Sequence, residues 1–216
     1  EIMPSLVGSE MCIRDRSDIP VVTIDYIFND RLAVVSDNAK GMEDLFTYIY
    51  QMGHRRIAYI HGTDSAVTTN RLSSFYRTAE KFGVEIPDEY VMMTRYRDTK
   101  GAGEATEKLL DLRRPPTCIL YPDDFAALGG IHVIRERGMS IPEDISIAGY
   151  DGIRLAKLTV PNLTTLCQDT QHLGQYAAEK LIDLIEKPKT AMRNITIVQG
   201  KLYEGQTVLK LDGSRG

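Results

Sequence analysis

Three short apolar runs constrain the fold of this chain more than any other feature: IAYIHG (57–62), CILYPDD (118–124) and ISIAGYD (145–151). They lack the alternation of apolar and polar residues that is typical of a strand with one solvent-exposed face, so each indicates a strand buried on both faces. Amphipathic helical patterns separate these and the other predicted strands, over 38–50, 70–82, 103–112, 123–137 and 171–185. Strands of this kind alternating with helices predict an α/β fold with doubly wound parallel sheets.

The amino-acid composition limits the classes of protein to which this chain can belong. The chain has 216 residues, which suits one large domain or two small lobes, and its formal net charge is −4. A chain this acidic is not expected to hold DNA by itself, since DNA affinity comes mainly from clustered Lys and Arg. Its apolar runs are too short to cross a membrane. Cys12, Cys118 and Cys167 form no CxxC pair; this favours a reducing, cytoplasmic location and indicates no metal or other cofactor.

The first sixteen residues differ from the rest. EIMPSLVGSEMCIRDR has neither helical nor strand periodicity, and it lacks the basic start and apolar core of a signal peptide. The stretch 10–15 back-translates naturally to GAGATGTGTATAAGAGAC, which resembles the end of a transposase-type sequencing adapter. We therefore expect 1–16 to be a non-native segment and the natural protein to be cut before Ser17; a genuine disordered tail is the alternative.

Polar side chains follow five of the predicted strands. In open α/β sheets, ligands bind in the crevice outside the carboxyl ends of the strands. Carboxylates, amides and guanidinium groups there suit a polyhydroxylated ligand, because a carboxylate accepts from vicinal hydroxyls and a guanidinium donates a fork to adjacent oxygens. The predicted ligand-binding residues are Asp25, Arg71, Asp123, Asp151 and Gln168.

Each of these residues also has a structural interpretation. Asp123 and Asp124 could cap the helix that follows, with Asp124 the stronger candidate. Arg71 could be a solvated helix residue, and Asp151 could belong to a turn. The histidines are scattered: His54 is expected to be structural, whereas His61 ends a strand near the crevice. No GxSxG, P-loop, GxGxxG or HExxH motif is present, so no enzyme is indicated.

Several phrases, taken in order, resemble the LacI/GalR family of bacterial transcription regulators. They span residues 19–208 and include DNAKG (37–41), GHRRIA (53–58), RLSSF (71–75), DDFAALG (123–129), GMSIPEDIS (138–146), GYD (149–151) and PNLTTLCQ (161–168). The resemblance implies a two-lobed, periplasmic-binding-protein-like fold. Residues 17–36 and 168–193 would form a partial N-terminal lobe, and 37–167 with 194–216 the C-terminal lobe.

The resemblance also implies roles for the predicted residues. Arg71 matches the arginine that grips sugar hydroxyls, Asp151 the aspartate of the opposite wall, and Gln168 a polar residue at the hinge crossing. Asp25 matches a first-lobe position, and Asp123 stands where the family has Asn or Asp. Four residues depart from the family pattern: Ser74, Asp123, Gly152 and Gly205 stand where the family commonly has Gly, Asn, an acidic residue and Arg. These departures put in question which arrangement of ligand hydroxyls the site recognises.

The function implied is the effector-binding domain, for a sugar, of a homodimeric cytoplasmic repressor. A bound effector would favour one lobe arrangement and so act on operator DNA through an N-terminal headpiece that this chain lacks. The first lobe would be incomplete, with unpaired strand edges and exposed apolar surface. A periplasmic sugar-binding protein of a transporter is the alternative, and an α/β hydrolase or isomerase would need a nucleophile–base pair or metal cluster that the sequence does not offer.

Overall fold

The computed structural model describes residues 19–28, 32–188 and 194–212. The proposed adapter-derived segment lies outside these residues. The strands are β1 Val22–Ile24, β2 Leu32–Ser36, β3 Ile57–His61, β4 Val91–Met93, β5 Cys118–Leu120, β6 Ser146–Asp151, β7 Thr164–Cys167, β8 Ile195–Val198 and β9 Lys201–Tyr203. The α-helices are α1 Asn38–Gln51, α2 Ala66–Lys81, α3 Thr99–Leu110, α4 Asp124–Glu136 and α5 Thr170–Glu186. Short 3₁₀ helices cover Asp88–Tyr90 and Arg154–Leu158.

The chain divides into two compact units. Among the described residues, the first unit comprises 19–28, 32–35, 170–188 and 194–197, and the second comprises 36–169 and 198–212. These crossing points lie within four residues of the boundaries expected from the sequence. The assignment of the units to the N-terminal and C-terminal lobes of a larger domain stays a prediction.

The second unit is built on a six-stranded sheet in the order β4-β3-β5-β6-β7-β9. Each pair from β4 to β7 is parallel, and β9 joins β7 antiparallel. Successive residues of one strand enter opposite apolar cores: Ile57 and Tyr59 pack with α1 and α2, whereas Ala58 and Ile60 pack with α3 and α4. Helices therefore cover both faces of the sheet, which confirms the predicted doubly wound α/β class.

Two helices begin four residues earlier than the sequence pattern predicts. Helix α2 starts at Ala66 rather than at residue 70, because the Ser65 hydroxyl accepts from the backbone N–H of Thr68 at 3.1 Å. Helix α3 starts at Thr99 rather than at 103, because the Asp98 carboxylate caps its first turn. In both helices a capping side chain supplies the hydrogen bond that stabilises a first turn containing Thr and either Val or Gly, which are weaker helix formers.

The first unit holds a sheet in the order β1-β2-β8, and helix α5. Strand β1 pairs parallel with β2. Several large apolar side chains of this unit are exposed, among them Ile24, Ile182, Ile185, Ile195 and Ile197. This agrees with the apolar surface expected from the sequence. Among the described helices, none has the length and apolarity needed to cross a membrane.

Candidate functional site

Arg71 is the fixed centre of a polar network in the second unit. It lies in the second turn of α2, and its side chain is buried. Its Nε donates to Asn38 Oδ1 at 2.8 Å, its Nη1 donates to the Pro122 carbonyl at 2.9 Å, and its guanidinium lies 3.5 Å above the Tyr150 ring. Its Nη2 stands 3.9 Å from Asp151 Oδ1. The interpretation of Arg71 as a solvated surface residue is therefore wrong.

Asp151 ends β6 and faces this guanidinium. Its side chain keeps 30% of its surface exposed, so the carboxylate is the accessible half of the ion pair. Its backbone has a φ of +103°, in the left-handed region that costs a non-glycine residue about 1–3 kcal/mol. Burial raises its pKa above the ordinary value, and the Arg71 cation and the Gln168 amide oppose that rise. A strained, partly exposed carboxylate against a buried arginine is typical of a binding site.

Gln168 connects Asp151 to Ser36 within the second unit. Its Nε2 donates to Asp151 Oδ1 at 2.6 Å, and its Oε1 accepts from the Ser36 hydroxyl at 2.7 Å. The backbone N–H of Gln168 also donates to the Asp151 carbonyl at 3.1 Å. Both ends of the amide are thus fixed, which orients the Asp151 carboxylate.

The adjacent aspartates have roles opposite to the capping preference drawn from the sequence. Asp123 is the N-cap of α4: its Oδ1 accepts from the Ala126 N–H at 2.8 Å, and its Oδ2 accepts from the Arg97 N–H at 2.7 Å. Asp124 does not cap the helix but accepts from the Thr165 hydroxyl at 2.6 Å and from the Ile153 N–H at 2.8 Å. Both carboxylates are buried. A ligand contact for Asp123 stays a prediction.

Burial raises the pKa of Asp124 to about 7, although its hydrogen bonds from Thr165 and Ile153 favour the ionised form. The charge of Asp151 adds to the rise. The network at this edge of the sheet therefore contains one carboxyl group that titrates near neutrality and lies behind the accessible one.

Asp25, the fifth predicted residue, belongs to the first unit. It follows β1 directly, its N–H donates to the Val34 carbonyl at 3.0 Å, and its φ is +52°. The structure thus brings Arg71, Asp123, Asp151 and Gln168 together at one edge of the sheet of the second unit. Asp25, the fifth predicted residue, lies in the first unit.

The two histidines singled out from the sequence differ in role. His54 is buried, with Nδ1 at 2.9 Å from the Thr117 hydroxyl and Nε2 donating to the Leu209 carbonyl at 3.0 Å. Burial lowers its pKa to about 4, so it is neutral and structural, as expected. His61 Nδ1 donates to the Gly62 carbonyl at 2.8 Å, and a ligand contact for it stays a prediction. No group of three or more His, Cys, Asp or Glu side chains suits a metal ion within the part of the chain that the structure describes.

Sequence reasoning missed three partners in this network: Ser36, Asn38 and Tyr150. The first two stand beside the start of α1, where Ser and Asn ordinarily indicate helix capping. Their contacts join residues 132 and 33 positions apart. Tyr150 precedes Asp151 in the GYD phrase, and this adjacency was the one available signal for its role.

A doubly wound sheet with a fixed arginine–aspartate–glutamine network at its carboxyl edge defines an α/β ligand-binding domain. Residues 46–208 match the family described as a periplasmic binding protein-like domain, and the chain belongs to that family.

The relatives of this chain are transcriptional repressors. It is 29% identical over 189 residues to the HTH-type transcriptional repressor CytR of Escherichia coli, covering 84% of this chain and 55% of CytR. It is 31% identical over 200 residues to the HTH-type transcriptional repressor PurR of Serratia proteamaculans, covering 91% of this chain and 58% of PurR. The chain thus spans little more than half the length of these relatives.

A solved structure shares the fold. A LacI family transcriptional regulator from Enterococcus faecium, with bound ribose, superposes with a TM-score of 0.82 at 24% identity, covering 98% of this chain and 77% of that chain. The resemblance to LacI-type regulators drawn from the sequence is confirmed as homology to their periplasmic-binding-protein-like part.

Proposed function

We propose that this chain is the effector-binding part of a DNA-binding transcriptional regulator, and that its effector is a polyhydroxylated small molecule of the sugar class. The observation that carries the proposal is the partly exposed Asp151 carboxylate, held against buried Arg71 at the carboxyl edge of the sheet. Asp151 accepts hydrogen bonds from vicinal hydroxyls, and Gln168 and Arg71 fix its orientation. Repressors among the relatives, and ribose bound to a regulator of the same fold, support both parts of the proposal.

The proposed ligand-binding set is Arg71, Asp123, Asp151 and Gln168 in the second unit and Asp25 in the first. Pre-formed hydrogen bonds favour affinity, since the ligand need not order these side chains on binding. The protein acts by binding rather than by catalysis, in the cytoplasm and as a homodimer, and it reaches operator DNA through a separate DNA-binding segment. These points rest on the family relationship.

Titration calorimetry with a panel of monosaccharides tests the site. Asp151→Asn keeps an oxygen for the Gln168 amide, and Asn tolerates the left-handed backbone better than other residues do. The variant should therefore fold but lose a charged acceptor, which weakens effector binding by about 1.5–3 kcal/mol, or about ten- to a hundredfold. Asp88→Asn is the matched control, because Asp88 lies before β4, at the opposite edge of the sheet. Equal affinity in both variants would remove Asp151 from the site.

The proposal that the protein is a DNA-binding regulator has its own test. The product of the natural gene should shift DNA from its own promoter region in a gel, and the sugar found by calorimetry should change the protein concentration needed. A ligand acts in this way only if it binds the two conformational states with different affinity. Absence of DNA binding with and without the sugar would refute the regulator assignment and leave the sugar site standing.

A further inference from the structure

The loop that connects β4 to α3 is fixed at the same sheet edge as the proposed site. The Thr94 N–H donates to the His61 carbonyl at 2.9 Å, which ties the start of the loop to the end of β3. The Tyr96 ring packs so closely on Gly62 that any Cβ there would overlap it. The Tyr96 hydroxyl lies 2.9 Å from the Thr68 hydroxyl of α2. These contacts hold the next residue, Arg97, in place.

Arg97 has the backbone signature of the predicted ligand-binding residues. In the described part of the chain, the non-glycine residues with a left-handed φ are Asp25, Arg97 and Asp151. Two of these belong to the proposed set of ligand-binding residues. Arg97, with a φ of +60°, has its N–H bound by Asp123 Oδ2 at 2.7 Å, so a third member of that set holds it in this conformation. Strained backbone of this kind clusters at ligand sites, because surrounding structure must stabilise it.

The side chains of Arg97 and Arg71 differ in availability. Arg71 is buried, and it donates to Asn38 and to the Pro122 carbonyl. Arg97 is exposed and forms no ion pair within residues 19–28, 32–188 and 194–212. Its charge nevertheless acts on the site: burial raises the pKa of Asp151, and Arg97 is among the cations that oppose the rise.

The charges of the site leave Arg97 as the cation available to a ligand. Asp151 faces Arg71, and both carboxylate oxygens of Asp123 accept backbone N–H groups. A neutral sugar would use Asp151 and leave the Arg97 cation without a counter-charge. A ligand with an anionic group would pair with it through charge-assisted hydrogen bonds, in the planar geometry that a guanidinium offers to carboxylates and phosphates.

We propose that Arg97 is a specificity-determining residue and that the effector is an acidic sugar, whose hydroxyls bind Asp151 and whose carboxylate or phosphate binds Arg97. This inference rests on the proposed function, since it names the chemical class of ligand for the same site.

Matched pairs of sugars test the inference directly. D-Glucuronate and D-galacturonate differ from D-glucose and D-galactose in the group on C6, and D-glucose 6-phosphate places a phosphate at the same carbon. Titration calorimetry of the chain should give at least about tenfold tighter binding for an acidic member than for its neutral partner. Comparing the affinities of the two uronates with that of D-glucose 6-phosphate identifies which anionic group is preferred. Added salt should weaken binding of the acidic member more, because the contact is charged and partly exposed.

Three variants assign the preference to a residue. Arg97→Gln should remove the preference for the acidic member without unfolding the loop, since the side chain is exposed and its backbone contact to Asp123 persists. Arg97→Lys should restore a reduced preference, because it returns the charge without the planar fork. Arg95→Gln removes the same charge from the exposed side chain two positions earlier and should leave the preference unchanged.

The outcomes separate the two proposals. Equal or tighter binding of the neutral sugars would overturn the acidic-sugar inference and leave the sugar-binding function intact. An acidic preference that survives Arg97→Gln would overturn the role of Arg97. Absence of heat and of thermal stabilisation with every sugar of the panel would count against the proposed function itself, and with it against the inference.

Discussion

Replacing Asp124 by Asn should change how the stability of the second unit depends on pH. Asp124 is buried behind the site, where it accepts hydrogen bonds from Thr165 and Ile153. Burial raises its pKa from 3.8 to about 7. Between these pH values the unfolded chain has released the proton and the folded chain has kept it, so the free energy of unfolding falls as pH rises. Each pH unit corresponds to about 1.4 kcal/mol, which gives a loss of about 4 kcal/mol between pH 4 and pH 7.

His54 opposes this trend over much of the same range. Burial lowers its pKa from 6.5 to about 4. The unfolded chain therefore binds a proton that the folded chain does not, and stability rises by about 3 kcal/mol as pH increases from 4 to 6.5. The contributions of Asp124 and His54 nearly cancel between pH 4 and 6.5. Asp124→Asn should expose the histidine contribution, because the neutral amide has no titration of its own.

Urea unfolding followed by circular dichroism at several pH values from 4 to 8 measures the effect. The free energy of unfolding of Asp124→Asn minus that of the unaltered chain should increase by about 4 kcal/mol from pH 4 to pH 7 and level off toward pH 8. Asp88→Asn, at an exposed position, provides the control and should show no such increase. A difference for Asp124→Asn that stays constant within about 1 kcal/mol over this range would refute the reasoning, since the burial of Asp124 would then not perturb its ionisation.

Three further variants test the packing of glycines on the helices and the positioning of Arg97. Gly129→Ala should lower the free energy of unfolding by about 1–3 kcal/mol, because a Cβ there would overlap the Thr99 carbonyl where α4 meets α3. Gly174→Ala, in open space on α5, should instead raise the free energy of unfolding by about 1 kcal/mol. Urea unfolding that gave both variants the same sign would contradict the steric argument. Asp123→Ala should lower the free energy of unfolding by about 1 kcal/mol, because the helix cap is lost. It should also reduce the preference for acidic sugars, since the Arg97 N–H loses its acceptor. Calorimetry that showed the full preference would mean that Asp123 does not position Arg97.

Much of the architecture of the second unit could be predicted from the sequence. The non-alternating runs 57–62, 118–124 and 145–151 identified strands buried on both faces, and amphipathic patterns identified the helices between them. Helix starts were less accurate. The predicted starts of α2 and α3 were four residues late, because Ser65 and Asp98 were not recognised as caps ahead of first turns that contain Thr and either Val or Gly. Side-chain capping overrides propensity there, and the sequence pattern weighed only propensity and periodicity.

The candidate site was predictable where a residue ends a strand or directly follows one, as Asp151 and Gln168 do. It was not predictable where a contact joins distant positions. Asn38 looked like part of a helix start, yet its side chain fixes Arg71, which lies 33 positions later. Arg97 gave no signal at all, because its exposed side chain in a polar loop is ordinary and its left-handed φ is a property of the folded backbone.

These contacts change what Arg71 can do in the site. The sequence predicted a guanidinium that donates a fork to ligand hydroxyls. Two of the five N–H groups of a guanidinium are already committed in Arg71, to Asn38 and to the Pro122 carbonyl, and only 2% of the residue is exposed. A ligand therefore meets the more exposed Asp151 carboxylate over a larger surface than it meets Arg71. Arg71 then acts chiefly by supplying a buried positive charge that opposes the rise in the Asp151 pKa caused by burial, and in the proposed site this leaves Arg97 as the cation for an anionic ligand group.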